Sequence, residues 1–384
     1  MKPAPMERGE VRHLLIRGVN WLGDAVMTTP AILRLRERFP KARITLLCPE
    51  KLRDLWTSHP AVDAALSFAP GEGVLAVARR LRETGADAAV VFPNSFRSAL
   101  EVWAAGIPRR VGSGRFPRTC LLTDRVAEDP GIVRMRKRTE PEVRRLVAAP
   151  SAGEGSGSRT AYPATSHQLH HYLRLAAHLG ADRGPLPPRL QAAPDAIRAM
   201  AARLAEPGAI GGPLIGLNAG AEYGPAKRWP VERFADAARS LAARTGARFV
   251  IFGGKADIPL AHDLAGRLGG GIPRTILAGQ TTLAELMAGL SRCRALITND
   301  TGPMHLAAAL GVPLVVPFGS TSPELTGPGL PGDPRHRLLL GQAPCAPCFL
   351  RTCPVDFRCL RSISPEAVVA ATLEVMSTDT GVAP

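Results

Sequence analysis

Short aliphatic runs alternate with longer amphipathic stretches along most of this chain, and no other property of the sequence limits the fold so strongly. In the first half, the runs predict strands at 12–17, 43–48, 88–92 and 109–112, and the stretches predict helices at 24–38, 73–84 and 95–105. The second half predicts strands at 214–218, 248–252, 294–298 and 313–317, and helices at 231–244, 257–268, 282–290 and 303–310. This alternation is typical of βαβ units, so we expect an α/β fold with two Rossmann-like domains.

The length of 384 residues also favours two domains, because it exceeds what one hydrophobic core usually organises. We place the first domain at residues 1–185 and the second at 186–362, where a Pro-rich connection separates them. An insertion at about 130–165, with a basic stem and a Gly/Ser-rich tip at 151–158, interrupts the first domain and is expected to be a mobile surface segment. Residues 363–384 are expected to form a last helix and a tail.

The formal charge of +15 is concentrated in residues 1–200, which carry 31 Lys and Arg against 19 Asp and Glu. Such a field attracts nucleic acid, an anionic membrane surface or a phosphorylated substrate, although a general bias toward arginine would give the same count. No zinc-finger, RRM or KH signature accompanies the charge, so nucleic-acid binding is a remote alternative. No apolar run reaches about 18 residues and the first residues lack a signal-peptide core, which predicts a cytoplasmic protein.

An acidic residue, Asp24, follows the first predicted strand at the start of a helix. Open α/β sheets bind ligands at the carboxyl ends of their strands, and a helix N-terminus keeps a carboxylate ionised. Asp24 is therefore either a proton-accepting base or an ordinary helix N-cap. A dinucleotide site is disfavoured, because Gly18 and Gly23 have G-x4-G spacing rather than G-x-G-x-x-G.

Two loops of the second half have the composition of anion sites. The first, Gly220 to Pro230, is Gly-rich and contains Lys227 and Arg228; the second, Asn299 to His305, has small residues before a helix. Backbone N–H groups and cations in such loops bind phosphate oxygens, although neither loop has P-loop spacing. Each alone is equally consistent with a capped turn, whereas together they favour a diphosphate that contacts both.

Four cysteines near the end, Cys345, Cys348, Cys353 and Cys359, have the spacing C-x2-C-x4-C-x5-C. Four thiolates in one loop are a ligand set for zinc or an iron–sulfur cluster. The alternative is four reduced surface thiols, or disulfides formed only after isolation. The sequence leaves both interpretations open.

Four strings resemble the ADP-heptose:lipopolysaccharide heptosyltransferases, glycosyltransferase family 9, and most of all heptosyltransferase II. They are WLGD (21–24), PNSFRSAL (93–100), GAEYGPAKRWP (220–230) and NDTGPMH (299–305). The resemblance spans about residues 11–375, with a longer segment at 130–165 than the family has. It implies a GT-B fold: an N-terminal acceptor domain, a C-terminal donor domain, a cleft between them, and a last helix, from about Pro365 to Met376, that crosses back onto the first domain.

The resemblance also implies roles for individual residues. Asp24 matches the general base and Lys227 a lysine on the donor phosphates, while Asp300 matches a heptose contact and Asp257, less closely, a ribose contact. The full donor set is Gly220, Glu222, Lys227, Arg228, Asp257, Asp300, Thr301, Gly302 and His305. The expected acceptor residues are Asn20, Asn94, Arg97 and Arg115, and we also expect Arg109 and Arg110 to flank the cleft.

The implied reaction is transfer of heptose, with inversion, from ADP-L-glycero-D-manno-heptose to the heptose-bearing inner core of lipopolysaccharide. The implied partners are ADP-heptose, a phosphorylated lipid A-core acceptor and the inner leaflet of the cytoplasmic membrane, with which the protein would associate peripherally. No Asp-x-Asp pair is present to hold a metal on the donor, so no cofactor is expected for catalysis. A GT-B transferase that uses another nucleotide sugar is the alternative.

Overall fold

The computed structural model describes residues 11–114, 116–133, 135–149, 162–205 and 211–377. Its contacts divide the chain into two compact units: Met1–Ile132 with Thr165–Gln191, and Val133–Ala164 with Ala192–Pro384. This division differs from the boundary expected at residue 185, because the chain enters the second unit twice. The expected roles of the two domains stay predictions.

The described residues form twelve strands and fifteen α-helices. The strands are β1 (His13–Arg17), β2 (Arg43–Pro49), β3 (Ala64–Phe68), β4 (Ala88–Val91), β5 (Arg109–Ser113), β6 (Asp124–Val126), β7 (Leu214–Asn218), β8 (Arg248–Ile251), β9 (Arg274–Ile276), β10 (Ala295–Thr298), β11 (Leu314–Phe318) and β12 (His336–Leu340). The helices are α1 (Leu22–Met27), α2 (Thr29–Arg38), α3 (Asp54–Thr57), α4 (Val74–Glu83), α5 (Phe96–Ala104), α6 (Glu140–Ala148), α7 (Gln168–Ala177), α8 (Pro194–Leu204), α9 (Val231–Thr245), α10 (Ile258–Leu268), α11 (Leu283–Ser291), α12 (Gly302–Ala309), α13 (Pro323–Thr326), α14 (Arg358–Arg361) and α15 (Pro365–Ser377).

Each unit contains one six-stranded sheet in which every strand pair is parallel. The strand orders are β3-β2-β1-β4-β5-β6 and β9-β8-β7-β10-β11-β12, so both sheets have the same doubly wound order. The order reverses between β1 and β4 and between β7 and β10. These are the points where such sheets bind ligands, and the expected pair of Rossmann-like α/β domains is confirmed.

Most residues of the interior strands are small or aliphatic, because helices cover both faces of each sheet, although β1, β2, β5 and β8 also contain arginine. All four residues of β4 and of β10 are buried. The four strands that the sequence pattern did not predict are β3, β6, β9 and β12, and all four are edge strands. Their burial is only partial.

The basic insertion belongs to the second unit. Val143 of α6 is buried against Cys345, Cys348 and Leu350, and the Arg138 N–H donates to the Cys348 carbonyl at 3.0 Å. The apolar face of α6 therefore has its partner in the cysteine-rich end of the chain, not in the first domain where the sequence analysis placed the insertion. Its Gly/Ser tip at 151–158 lies outside the described residues.

The last helix, α15, buries Val368, Val369 and Val375 in the core of the second unit. Its apolar face packs beside α9 and β11, and the expected crossing back onto the first domain stays a prediction. Within the part of the chain that the structure describes, none of the helices has the length and apolar character needed to cross a membrane.

Candidate active site

A network of buried amide and hydroxyl groups joins the loops that follow β7 and β10. The Asn218 side-chain amide donates to Thr298 Oγ1 at 3.0 Å, and the Asn299 side-chain amide donates to the Ala219 carbonyl at 2.7 Å. Asn299 Oδ1 accepts the Trp229 N–H at 2.9 Å. Because each buried polar group has a partner, the two loops are held in one fixed arrangement at the switch point of the sheet.

Lys227 and Asp300, which sequence analysis assigned to the donor, form an ion pair across these loops. Lys227 Nζ lies 2.6 Å from Asp300 Oδ2, and the two side chains are only 13% and 5% exposed. Thr321, after β11, donates its hydroxyl to the same oxygen at 2.6 Å. Thr321 was not among the predicted site residues, although its place after a predicted strand was a usable signal. The site thus contains a cation whose charge is already balanced.

Asp257 packs against Gly220 at one side of the site. Its carboxylate accepts the Gly254 N–H at 3.1 Å and lies 3.7 Å from an Arg228 guanidinium nitrogen. A Cβ at position 220 would come within 2.6 Å of all three carboxyl atoms, so only glycine leaves this position free. Three predicted donor residues are therefore brought together here.

The other predicted donor residues lie along the same edge. Thr301 is the N-cap of α12, and its side chain makes no capping hydrogen bond, so the first N–H groups of this helix stay unsatisfied by it. Gly302 is the first helical residue, and His305 is buried one turn later. Glu222 is exposed in the loop after β7. The helix start has the N–H groups and dipole that favour an anion.

In the first unit, Asp24 lies in the first turn of α1, whose N-cap is Trp21. The interpretation of Asp24 as an N-cap is therefore wrong. Burial raises the pKa of Tyr172 on α7 well above its usual value, and the charge of Asp24 raises it further. Asp24 is half-buried at the carboxyl end of β1, and the effect of its charge on the pKa of Tyr172 places it near that buried phenol.

The predicted acceptor residue Arg97 belongs to a buried charge cluster. Arg97 Nε and Arg17 Nε each lie 2.8 Å from a different oxygen of Glu101, which is fully buried. Burial lowers the pKa of Arg17, the Glu101 charge opposes that shift, and Arg97 adds to it. Two guanidinium groups share one carboxylate, so the cluster has an excess positive charge. Arg97 is its exposed member.

The structure places the remaining predicted acceptor residues that it describes in different parts of the first unit. Asn94 is exposed just before α5, and Asn20 accepts from Arg17 Nη1 at 3.3 Å, so both lie near this cluster. Arg109 and Arg110 begin β5, where Arg109 pairs with the first residue of β4. They lie at the amino ends of these strands, where Arg109 binds Asp124, and the structure brings neither of them to the Arg97 cluster. Arg115 lies outside the described residues.

The four clustered cysteines are free thiols, three of them buried. Burial, with the neighbouring thiols adding to it, raises the pKa of Cys359 to about 12, and Cys353 Sγ accepts the Phe357 N–H at 3.3 Å. Across the described residues, no group of three or more His, Cys, Asp or Glu side chains is placed to hold a metal ion. The structure therefore gives the predicted zinc or iron–sulfur site no support.

Comparison with known proteins agrees with this geometry. Residues 156–357 match the family model described as glycosyltransferase family 9 (heptosyltransferase). The chain is 32% identical to lipopolysaccharide heptosyltransferase 2 of Salmonella typhimurium and 34% identical to lipooligosaccharide heptosyltransferase 2 of Haemophilus ducreyi, in each case with 82% of this chain and 85% of the relative aligned.

Among solved structures, the chain is similar to Escherichia coli ADP-heptose LPS heptosyltransferase II. The TM-score is 0.72 at 29% identity, and the match covers 95% of this chain and 98% of the other. The resemblance found in the sequence motifs is thereby confirmed over nearly the whole length. This chain belongs to glycosyltransferase family 9, the heptosyltransferase family.

Proposed function

We propose that this protein is an inverting heptosyltransferase that transfers L-glycero-D-manno-heptose from its ADP derivative to the heptose-bearing inner core of lipopolysaccharide. The observation that carries the proposal is the buried Lys227–Asp300 pair at the switch point of the second sheet. Its support is the alignment with heptosyltransferase 2 relatives over 82% of the chain. The pair lies in the half in which the donor is expected, and the alignment extends over both halves.

The second unit would bind the donor. The start of α12 at Thr301 and Gly302 offers N–H groups to the diphosphate, and Lys227 adds a cation whose partner, Asp300, can turn toward the heptose hydroxyls. Asp257 would accept a hydrogen bond from a ribose hydroxyl. As ADP departs, these groups stabilise the negative charge that develops on it, so no metal is required in that role.

The first unit would supply the base. Asp24 takes the proton of the acceptor hydroxyl while that oxygen forms a bond to the anomeric carbon of heptose. The bond from the anomeric carbon to the diphosphate breaks on the opposite face, and its electron pair leaves with ADP. One displacement inverts the anomeric centre, so a single carboxylate is sufficient and no covalent intermediate is needed.

The acceptor is a phosphorylated lipid, which suits the positive cluster around Arg97 in the first unit. We propose that Arg97, with Asn94 and Asn20, holds the acceptor phosphates. A lipid-anchored acceptor would also bring the protein to the inner leaflet of the cytoplasmic membrane as a peripheral protein. The basic first half would favour that anionic surface.

The proposal is tested by incubating the protein with ADP-heptose and a heptose-bearing, phosphorylated lipid acceptor and measuring the product by mass. We expect an increase of one heptose, unchanged when a chelator is present throughout. Faster consumption of another sugar nucleotide would favour the alternative GT-B transferase. A salt-sensitive shift of nucleic acid that ADP does not affect would instead support the nucleic-acid alternative.

Arg97→Ala is expected to raise the acceptor KM about tenfold or more and to leave the ADP-heptose KM near its wild-type value. The lost contact is a charge-assisted hydrogen bond to phosphate. Glu101 keeps its bond to Arg17, so the protein should stay folded. Steady-state kinetics with each substrate varied in turn measures the two effects.

Arg79→Ala is the matched control, because Arg79 also pairs with a glutamate four residues later but is largely exposed on α4. We expect it to change neither KM. Equal changes in both KM values for the Arg97 variant, or no change, would contradict the role of Arg97 in acceptor binding.

A further inference from the structure

The cysteine segment, which we define as residues 341–361, packs against the loop that carries Lys227. The Tyr223 hydroxyl donates to the Phe349 carbonyl at 2.7 Å, and the Ala226 N–H donates to the Arg351 carbonyl at 3.0 Å. Two residues of the cysteine segment thus fix the loop by their backbone oxygens. These bonds do not involve the Arg351 side chain.

Gly224 makes this contact possible. Its φ is +147°, which L side chains rarely adopt, and a Cβ there would lie 2.5 Å from the Arg351 carbonyl oxygen. Only glycine lets the two backbones come so close. The position of Arg351 relative to Lys227 is therefore determined by backbone contacts on both sides.

The Arg351 side chain lies over the same aromatic ring as Lys227. Its guanidinium carbon is 5.1 Å from the centre of the Tyr223 ring, and Lys227 Nζ is 5.0 Å from that centre. The two cationic groups are therefore no more than about 10 Å apart. Both cations therefore border the same Tyr223 ring.

The charges in this region show which cation is available to a ligand. Lys227 is balanced by Asp300 at 2.6 Å, and Arg228 faces Asp257 at 3.7 Å. Arg351 is exposed, and among the residues that the structure describes no carboxylate forms an ion pair with it. Arg351 is therefore the cation in this region that an anion can bind without displacing a carboxylate.

We propose that Arg351 binds the diphosphate of the nucleotide donor. The cysteine segment then contributes a ligand-binding cation to the site as well as a backbone support. This inference rests on the proposed donor site in the second unit. The recognised chemistry is a nucleoside diphosphate, because a planar guanidinium offers paired N–H donors to phosphate oxygens.

The test is calorimetric binding of ADP, AMP and adenosine to the full-length protein. Arg351→Ala is expected to weaken ADP binding about tenfold or more, and to change adenosine binding less than twofold. Arg351→Lys should restore part of the ADP affinity. The loss for Arg351→Ala should diminish at high salt, since the wild-type advantage is electrostatic.

Arg361→Ala is the matched control, because Arg361 is exposed in the same segment, on α14, and should leave all three affinities unchanged. Thermal unfolding monitors the fold, which the Arg351 backbone oxygen still supports in every variant. If wild-type protein binds ADP and Arg351→Ala binds it equally well, the inference about Arg351 is wrong and the donor site stands. Failure of the wild-type protein to bind ADP overturns the donor site itself.

Discussion

Asp24→Asn is expected to bind ADP-heptose with nearly wild-type affinity and to lose about 10²–10⁴-fold in kcat, the usual loss when a general base is removed. The amide has the shape of the carboxylate but cannot take the proton of the acceptor hydroxyl. Asp24 lies in the first turn of α1 and is not its N-cap, so the lost charge should cost under about 1 kcal/mol of stability. Donor titration, steady-state turnover and thermal unfolding measure the three quantities.

Asp54→Asn provides the matched control, since Asp54 also lies in the first turn of a short helix, α3, in the same unit. It undergoes the same chemical change, and we expect full activity from it. Wild-type turnover by the Asp24 variant at saturating acceptor would refute the base assignment and leave the family assignment intact.

Unlike Asp24→Asn, Lys227→Ala should reduce both donor binding and kcat. We expect kcat/KM for ADP-heptose to fall about 100-fold or more. Removing one partner of a buried charge pair costs several kcal/mol, because the other charge stays buried without compensation. Here that charge is Asp300, which would then repel the donor diphosphate. Steady-state kinetics together with ADP titration separates the effects on binding and turnover.

The double variant Lys227→Ala with Asp300→Asn tests whether the unpaired charge of Asp300 repels the donor diphosphate. It removes both charges, so it should bind ADP more tightly than Lys227→Ala alone, although the heptose contact is weakened. If the double variant binds ADP no better than the single one, the repulsion by Asp300 is not the cause of the loss.

Interior strands could be predicted from the sequence and edge strands could not, for one physical reason. β1, β4, β7 and β10 are covered on both faces, so most of their residues are apolar and the run is visible in the sequence. Edge strands such as β6, which reads Asp-Arg-Val, are partly exposed and tolerate charge. Pairing with a neighbour, not composition, makes them strands.

Only some residues of the candidate site could be predicted from the sequence. Lys227 and Asp300 were identifiable because each lies in a short string with a strand before it and a helix after it. Thr321 and Arg351 reach the same place from distant parts of the chain, through a hydroxyl bond and a backbone contact. The place of Thr321 after a predicted strand was a usable local signal, but nothing in the sequence near Arg351 shows which loop it meets.

The path of the chain through its two units has a practical consequence for making the second one in isolation. A fragment that began at Ala192 would omit Val133–Ala164, which the contacts assign to that unit. The surface of Cys345, Cys348 and Leu350 that α6 covers would then be bare, and an exposed apolar patch of this kind promotes aggregation. A usable fragment has to be supplied with the α6 sequence, either as a separate synthetic peptide added in trans or through a rearranged gene that joins it to the fragment.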